Sequence, residues 1–274
     1  MPEKTRYDDS STIRDTVNRD DDGSYRARTR LFVTQDLAAN GAIDLEPAQA
    51  HYLLNVLRLK AGAATALFNG RDGEWRASIE AIGRGRCTVV PLDQTRSQRA
   101  EPDLWLLFAP LKRARTDYLA EKATEIGASA LWPVFTRRTQ AERINLDRLR
   151  ANAIEAAEQS ERLSVPELRA PAQLADVLAE WPAERRLLFC DETGGGAPIA
   201  EALAAHARDA RAKWAVLIGP EGGFARDELD ALRKLPFVTA AGLGPRILRA
   251  DTAALAALVI VQALAGDWKS APRD

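Results

Sequence analysis

The hydrophobic pattern of the chain changes after Asp103, where short apolar runs begin to alternate with longer amphipathic stretches, and this change limits the possible folds more than any other feature. Leu104–Ala109 and Ala130–Phe135 are predicted to be buried strands. Between them, Arg113–Ile126 is predicted to be a helix that ends at Gly127. Strands that alternate with helices are typical of a mostly parallel sheet covered by helices. The sequence therefore predicts an α/β domain in this part of the chain.

The same alternation continues towards the carboxyl terminus. Further strands are predicted at Leu187–Cys190 and Trp214–Ile218, and further helices at Asn145–Leu163, near Pro198–Ala207 and at Ala225–Leu235. The run Ala253–Ala265 is apolar on nearly all sides, which predicts a buried helix. It is shorter than the roughly 20 residues of a membrane span, so we expect a soluble protein without membrane contacts.

The segment before Asp103 has shorter strands and more turns. Strand-like runs at Thr65–Phe68 and Glu74–Ile82 are separated by glycine-containing turns such as Asp72-Gly73. A helical piece is predicted at Pro47–Arg58. Short, closely spaced strands joined by turns predict a small β-barrel.

These patterns divide the chain into three parts. Residues 1–28 carry few apolar side chains, and we expect them to form a flexible tail. The small β-barrel is expected at residues 29–97. The α/β domain is expected at residues 98–274, after a polar linker around Thr95–Pro102.

Composition excludes several classes of function. Two cysteines and two histidines in 274 residues are too few for a disulfide framework or a multi-histidine metal centre. We therefore expect no metal and a reducing, cytoplasmic location. The formal net charge is -1, so any RNA-binding face must come from local clustering. The basic residues on either side of the linker are either such a cluster or an ordinary solvated face: Arg84, Arg86, Arg96, Arg99, Lys112, Arg113 and Arg115.

Two glycine-bearing stretches follow predicted strands. The first is Ile218-Gly219-Pro220-Glu221-Gly222-Gly223-Phe224, and the second, Leu243-Gly244-Pro245-Arg246-Ile247-Leu248-Arg249, leads into the carboxyl-terminal helix. Ligands of open α/β sheets bind at the carboxyl ends of strands, where glycine lets backbone approach a ligand closely. Neither stretch has the pattern of a P-loop or of a dinucleotide fingerprint. Each is therefore either a plain turn or half of a binding site, and the second hypothesis requires the two to lie side by side.

Together the two stretches closely resemble the 16S rRNA (uracil-N3) methyltransferase family of the SPOUT superfamily. Other segments are similar to the same family, namely His51, Asn55–Gly62, Lys122–Gly127 and Glu158-Gln159-Ser160-Glu161-Arg162. The resemblance implies an α/β SPOUT-type domain with a trefoil knot, preceded by a PUA-like β-barrel that binds RNA. It also implies a homodimer that uses S-adenosylmethionine to methylate N3 of a uridine in 16S rRNA, either free or in the small ribosomal subunit.

The resemblance also implies where the cofactor binds. The residues that match are those of the two glycine-bearing stretches and of the helix start that follows them: Gly219, Pro220, Glu221, Gly222, Gly223, Leu243, Gly244, Ile247, Leu248 and Thr252.

Catalysis at N3 of uracil requires loss of a proton or stabilisation of the anion that develops, and a cation beside the uracil carbonyls supplies the second. Arg138 matches the family arginine for this role, and its alternative is a surface arginine after a strand. Glu158 and Arg162 are further catalytic candidates, or else a surface pair four residues apart on a helix. Candidate RNA contacts are Lys112, Arg113, Arg115, Gln159 and Arg249. No residue is assigned as general base.

The chain departs from the family pattern at three places. Ala225 stands where a serine or threonine usually caps a helix, Ala250-Asp251 replaces a usual Thr-Glu, and Arg115 replaces a usual lysine. Two other functions therefore stay open: a related SPOUT enzyme with another RNA target, and an RNA-binding ribosome assembly factor without catalytic activity.

Overall fold

The computed structural model describes residues 29–83, 86–141, 143–204 and 213–269. The tail predicted at residues 1–28 lies outside the described residues, as do Arg84 and the end of the helix predicted near Pro198–Ala207. The chain divides into two compact units, residues 1–99 and residues 100–274. The division lies two residues beyond the boundary expected from the sequence.

The amino-terminal unit is built on one five-stranded sheet. Its elements are β1 (Arg30–Phe32), β2 (Ile43–Asp44), α1 (Pro47–His51), a π-helical turn (Tyr52–Val56), β3 (Ala64–Phe68), β4 (Glu74–Gly83) and β5 (Arg86–Arg96). The strand order is β1-β3-β4-β5-β2, with β1 parallel to β3 and the other pairs antiparallel. Three register irregularities between β4 and β5 bend the sheet into a half-barrel.

The carboxyl-terminal unit is an α/β domain, as predicted. Its strands are β6 (Leu104–Phe108), β7 (Ala130–Phe135), β8 (Glu167–Leu168), β9 (Ala172–Gln173), β10 (Arg185–Cys190), β11 (Ala197–Pro198), β12 (Lys213–Ile218) and β13 (Val238–Gly242). Its helices are α2 (Arg113–Ile126), α3 (Leu146–Gln159), α4 (Leu174–Ala179), α5 (Ile199–Ala204), α6 (Arg226–Leu232) and α7 (Ala250–Ala265). The strand order is β11-β13-β10-β12-β6-β7-β8, with β9 also paired to β7, and every pair is parallel.

Helices cover both faces of this sheet, which explains why its central strands are apolar throughout. On one face, Leu106 and Val216 pack with side chains of α2, α3, α5 and α7. On the other face, Leu107 and Leu217 pack with α4 and α6. Since all the pairs are parallel, the carboxyl ends of the central strands lie at one edge, and the loops that follow them meet there.

The predicted buried helix at the carboxyl end is buried on one side only. Ala254, Ala257, Leu258 and Val261 recur at helical spacing and lie in the core. On the other side, Ala256 and Val259 are half-buried and Leu264 is exposed. The expectation of a fully buried helix was therefore wrong: α7 packs on β6 and β12 and against α2 and α5, and the described residues leave its opposite side uncovered. None of the described helices combines the length and hydrophobicity that a membrane crossing requires.

Candidate functional site

The two glycine-bearing stretches lie at the same edge of the sheet. The first follows β12 and the second follows β13, and β10 pairs with both of these strands. The loops after β10, β12 and β13 therefore leave the sheet side by side. This confirms the prediction that the two stretches lie next to each other.

These three loops enclose a cavity of about 310 Å³, which we call the loop cavity. The loop after β10 contributes Asp191 and Glu192, which the sequence analysis missed, because a strand followed by two acids is not distinctive by itself. The RNA-binding candidate Arg249 lines the cavity. So do eight of the ten cofactor-binding candidates: Gly219, Pro220, Glu221, Gly223, Leu243, Gly244, Ile247 and Leu248. The other two cofactor-binding candidates, Gly222 and Thr252, lie beside the cavity and do not line it.

The first loop requires glycine at two positions. A Cβ atom on Gly219 would lie 2.5 Å from the ring of Phe224, which is buried and packs edge-on against Phe189. Gly223 has φ +67°, and its N–H donates to the carbonyl of Pro220 at 2.9 Å. A Cβ atom there would meet a carboxylate oxygen of Glu192 at 2.3 Å. These glycines let the backbone of the loop form one wall of the cavity.

The second loop is more open. Gly244 has φ +93°, and an added Cβ atom would meet nothing within 4 Å. Ile247 is 91% exposed, so this apolar side chain has almost no cover within the chain. The loop ends at Arg249, whose carbonyl accepts the first intrahelical bond of α7 from Ala253. Arg249 is the residue at the start of α7, and it supplies no side-chain cap.

Two titratable groups of the loop cavity have shifted pKa values. Burial opposes ionisation of Asp191, but hydrogen bonds from Thr193 and Arg233 outweigh it and hold the pKa of this carboxyl below its usual range. Burial, with a smaller contribution from Glu192, raises the pKa of the Cys190 thiol to about 12. Cys190 therefore lines the cavity with an uncharged, unreactive thiol at neutral pH.

Arg115 lies between the two loops. Its guanidinium is 3.9 Å from a carboxylate oxygen of Glu221 in the first loop and 3.9 Å from one of Asp251 at the start of α7. The structure thus places Arg115 at the loops, although it does not line the loop cavity. Two of the positions that depart from the family pattern, Arg115 and Asp251, face each other here.

Arg138 extends from a tight turn after β7 towards the first loop. The turn is closed by Thr136 and Thr139, whose hydroxyl oxygens are 3.0 Å apart. Arg138 is exposed and donates from Nη1 to the carbonyl oxygen of Gly222 at 3.0 Å. Gly222 therefore faces Arg138, and a Cβ atom on it would be in ordinary contact with this side chain at 3.6 Å.

Comparison with known proteins places the chain in a family. A family model described as an RNA methyltransferase domain matches residues 99–262, and one described as an RNA methyltransferase PUA domain matches residues 45–92. A curated relative from Rickettsia conorii, named Ribosomal RNA small subunit methyltransferase E, is 33% identical over 86% of this chain and 95% of its own length. The chain belongs to the ribosomal RNA small subunit methyltransferase E family.

Solved structures of methyltransferases have the same fold. A methyltransferase E from Neisseria gonorrhoeae, bound to S-adenosyl methionine, has a TM-score of 0.77 and 26% identity over 88% of this chain and 99% of that one. A methyltransferase from Legionella pneumophila described as putative, in complex with the same cofactor, has a TM-score of 0.73 and 27% identity over 87% and 98%. The chain thus consists of a PUA-like domain followed by a SPOUT-type methyltransferase domain.

The methyltransferase E segment Glu158–Arg162 lies away from the loop cavity. The start of α3, around Asn145, is near Glu221. Glu158 and Gln159 are at the other end of α3, about 20 Å away along the helix axis. Arg162 follows this end and is buried. The predicted catalytic grouping of Arg138 with Glu158 and Arg162 is therefore not assembled within the chain.

Arg162 instead joins three parts of the methyltransferase E domain. Its Nη1 donates to the carbonyls of Thr124 at 2.7 Å and Ala128 at 3.0 Å, at the end of α2. Its Nη2 pairs with the carboxylate of Glu101, which also accepts a hydrogen bond from Ser164 at 2.7 Å. This geometry gives Arg162 a structural role, whereas an action of Glu158 and Gln159 on substrate stays a prediction.

Proposed function

We propose that this protein transfers a methyl group from S-adenosylmethionine to N3 of a uridine in the 16S rRNA of the small ribosomal subunit, in the cytoplasm. The observation that carries the proposal is the single cavity that the two glycine-bearing loops form after β12 and β13. Two comparisons support the proposal. The curated relatives are named as methyltransferases of small-subunit ribosomal RNA, and solved structures with the same fold contain this cofactor.

The loop cavity suits S-adenosylmethionine. The backbone at Gly219 and Gly223 approaches closely enough to bind a ligand through main-chain groups. Leu243 and Leu248 offer apolar contact, and the carboxylates of Glu192 and Glu221 favour a ligand with positively charged ammonium and sulfonium groups. When bound there, S-adenosylmethionine supplies an electrophilic methyl group.

The chain's own contribution to the chemistry is to position the uracil and to stabilise its anion. Uracil N3 carries a proton at neutral pH, and negative charge develops on the neighbouring carbonyl oxygens as this proton leaves. Arg138 has one guanidinium N–H bonded to Gly222, and its other N–H groups form no hydrogen bond with the described residues. Those groups are the donors for the developing negative charge.

The test is a pair of neighbouring substitutions. Arg138→Ala is expected to abolish methyl transfer while the affinity for S-adenosylmethionine stays close to that of the wild type, measured by titration calorimetry. Arg137→Ala is the matched control, because Arg137 pairs with Asp227 on α6 at 2.7 Å and is exposed. A comparable loss of cofactor affinity in Arg138→Ala would show that Arg138 binds the cofactor and does not act on the uracil.

The reaction and its target are tested in the cell. In a strain that lacks this gene, 3-methyluridine should disappear from 16S rRNA, and the wild-type gene should restore it. Persistence of this nucleoside would favour a related enzyme with another RNA target. No heat on titration with S-adenosylmethionine would favour an assembly factor without catalytic activity.

We further infer that the domain carries the trefoil knot of SPOUT enzymes and that two copies form a homodimer. Support for the knot is that α7, which follows the second loop, packs back against α2 and β6 at the start of the domain. Support for the dimer is the apolar outer side of α7, where Val259 is half-buried and Leu264 is exposed.

A further inference from the structure

A second and larger cavity lies beside the loop cavity. It encloses about 1000 Å³, against about 310 Å³ for the loop cavity, and we call it the groove. One wall is the segment between β6 and the first turn of α2, and the other is the segment between β7 and the first turn of α3. Glu221 lines both cavities, so the groove begins where the proposed methyl donor would be bound.

The described residues that line the groove carry one more positive than negative charge. Four cationic and three anionic side chains line it: Lys112, Arg113, Arg143 and Arg148, with Asp117, Asp147 and Glu221. Arg148 is paired with Asp117 at 2.7 Å, and this bond holds the pKa of Asp117 below its usual range. Glu221 faces Arg115 at 3.9 Å. In the part of the chain that the structure describes, Lys112 and Arg143 form no ion pair with a carboxylate, Arg113 shares Asp117 with Arg148, and Asp147 is the remaining acidic side chain of the lining.

The walls of the groove are fixed by hydrogen bonds. The hydroxyl of Thr116 accepts from the N–H of Leu111 at 3.1 Å and donates to the carbonyl of the same residue at 3.0 Å. On the other wall, the side chain of Asn145 accepts from the N–H of Arg148 at 2.9 Å. The basic side chains therefore extend from backbone that is already ordered, which lowers the entropic cost of binding.

Two of the basic residues lie at a helix end where positive charge is disfavoured. Arg113 and Arg115 lie in the first turn of α2, which has no acidic residue. Positive charge at this end of a helix is unfavourable because the helix dipole is positive there. An anionic ligand in the groove would remove this conflict.

The lining indicates which part of a nucleic acid fits. None of the described residues that line the groove is aromatic, so it offers no ring on which a base could stack. Arginine and lysine side chains on ordered loops are typical contacts to phosphate oxygens. We propose that the groove binds the phosphodiester backbone of the RNA strand that carries the target uridine, with Lys112, Arg113 and Arg143 contacting its phosphates. This inference rests on the proposed function and adds Arg143, which the sequence analysis did not identify.

The experiment compares single substitutions in the full-length protein. Arg143→Gln and Arg113→Gln are assayed with a 20-nucleotide RNA of mixed sequence for binding and with small ribosomal subunits for methyl transfer. Loss of one phosphate contact is expected to reduce the slope of log K against log salt by about 0.7, which corresponds to about fourfold weaker binding at 0.15 M salt. The KM for subunits should rise by a similar factor, with kcat and the affinity for S-adenosylmethionine nearly unchanged.

The matched control is Arg150→Gln. Arg150 is an exposed arginine on α3 that does not line the groove, so Arg150→Gln removes the same charge at a position outside the groove. If Arg143→Gln and Arg113→Gln behave like Arg150→Gln while the wild type methylates subunits, the groove is not the RNA site and the proposed function stands. A wild type that neither binds S-adenosylmethionine nor methylates subunits would overturn the proposed function itself.

Discussion

Among single residues, the glycines of the first loop differ in what they tolerate. Gly219 lies against a buried aromatic ring, whereas Gly222 faces the flexible side chain of Arg138. Gly222 also adopts a backbone conformation open to other residues, unlike Gly223 with φ +67°. Gly219 and Gly223 are therefore required to be glycine for different physical reasons, and Gly222 has no steric reason to be glycine within the chain.

The first prediction compares two of these glycines. Gly219→Ala should lower the free energy of unfolding by about 1–3 kcal/mol, because the new methyl group overpacks against Phe224. It should also weaken binding of S-adenosylmethionine, since Phe224 belongs to the same loop. Gly222→Ala should change stability by less than about 0.5 kcal/mol. Urea denaturation and calorimetry measure both effects, and equal behaviour of the two variants would contradict this account.

The second prediction concerns Asp191. Because its pKa is held below the ordinary value of 3.8, its stabilisation is present above that pH and is lost as the pH falls through the folded-state pKa. Asp191→Asn should lower the free energy of unfolding by about 1–3 kcal/mol at pH 7, since the hydrogen bonds from Thr193 and Arg233 lose their ionised acceptor. Below pH 4 the difference from wild type should shrink.

Urea denaturation between pH 3 and pH 7 measures this dependence. The control is Asp176→Asn, at an exposed position on α4, which should follow the wild-type pH profile. A constant difference between Asp191→Asn and wild type across this range would show that the carboxylate contributes nothing through its charge.

At the scale of elements, the end of α3 is joined to the end of α2 by one buried arginine. Arg162 donates to the carbonyls of Thr124 and Ala128 at the end of α2, and it neutralises Glu101 at the start of the domain. The ends of two helices and the first residues of the domain are therefore held by one guanidinium.

The third prediction follows from this role. Arg162→Met should lower the free energy of unfolding by about 3–5 kcal/mol, because it leaves a partly buried carboxylate without its cation and removes one donor from each of two carbonyls at the end of α2. Arg162→Lys should recover part of this loss. Denaturation midpoints give the stability, and titration calorimetry gives the cofactor affinity. A fully stable Arg162→Met that binds cofactor and fails only in transfer would restore the catalytic role expected from the sequence.

At the scale of the whole molecule, the outer side of α7 is apolar. Ala256 and Val259 are half-buried, and Ala263 and Leu264 are exposed at helical spacing. The chain mass is 30.0 kDa, so a homodimer through this side would have a mass of about 60 kDa.

The fourth prediction is that charge on this side separates the subunits. Val259→Glu and Leu264→Glu should shift the mass in sedimentation equilibrium from about 60 kDa towards 30.0 kDa, because a buried carboxylate in an apolar interface is unfavourable. Leu92→Glu, at an exposed leucine of the amino-terminal unit, should leave the dimer intact. A wild type that sediments as a monomer at all concentrations would exclude the dimer.

The sequence predicted the long elements well and the short ones poorly. Arg113–Ile126 was predicted with both ends correct, since Gly127 adopts φ +101° and ends the helix. Strands of two residues, such as Glu167–Leu168 and Ala172–Gln173, were missed because two residues carry no periodicity. The helix predicted at Asn145–Leu163 ends at Gln159, and Glu161 has φ +60°.

By itself, the sequence determined the division into a small β unit and an α/β domain, and it identified the two glycine-bearing loops as the candidate site. Hydrophobic periodicity and glycine placement are local, so they can be read without a structure. The tertiary structure decided which side chains the loops meet: Asp191 and Glu192 from β10, Arg115 between two carboxylates, and Arg143 across the groove. It also showed that Arg162, a catalytic candidate from the sequence, contacts the end of α2 and Glu101. These contacts join residues tens of positions apart, and their partners are fixed only when the parallel strands pack in order.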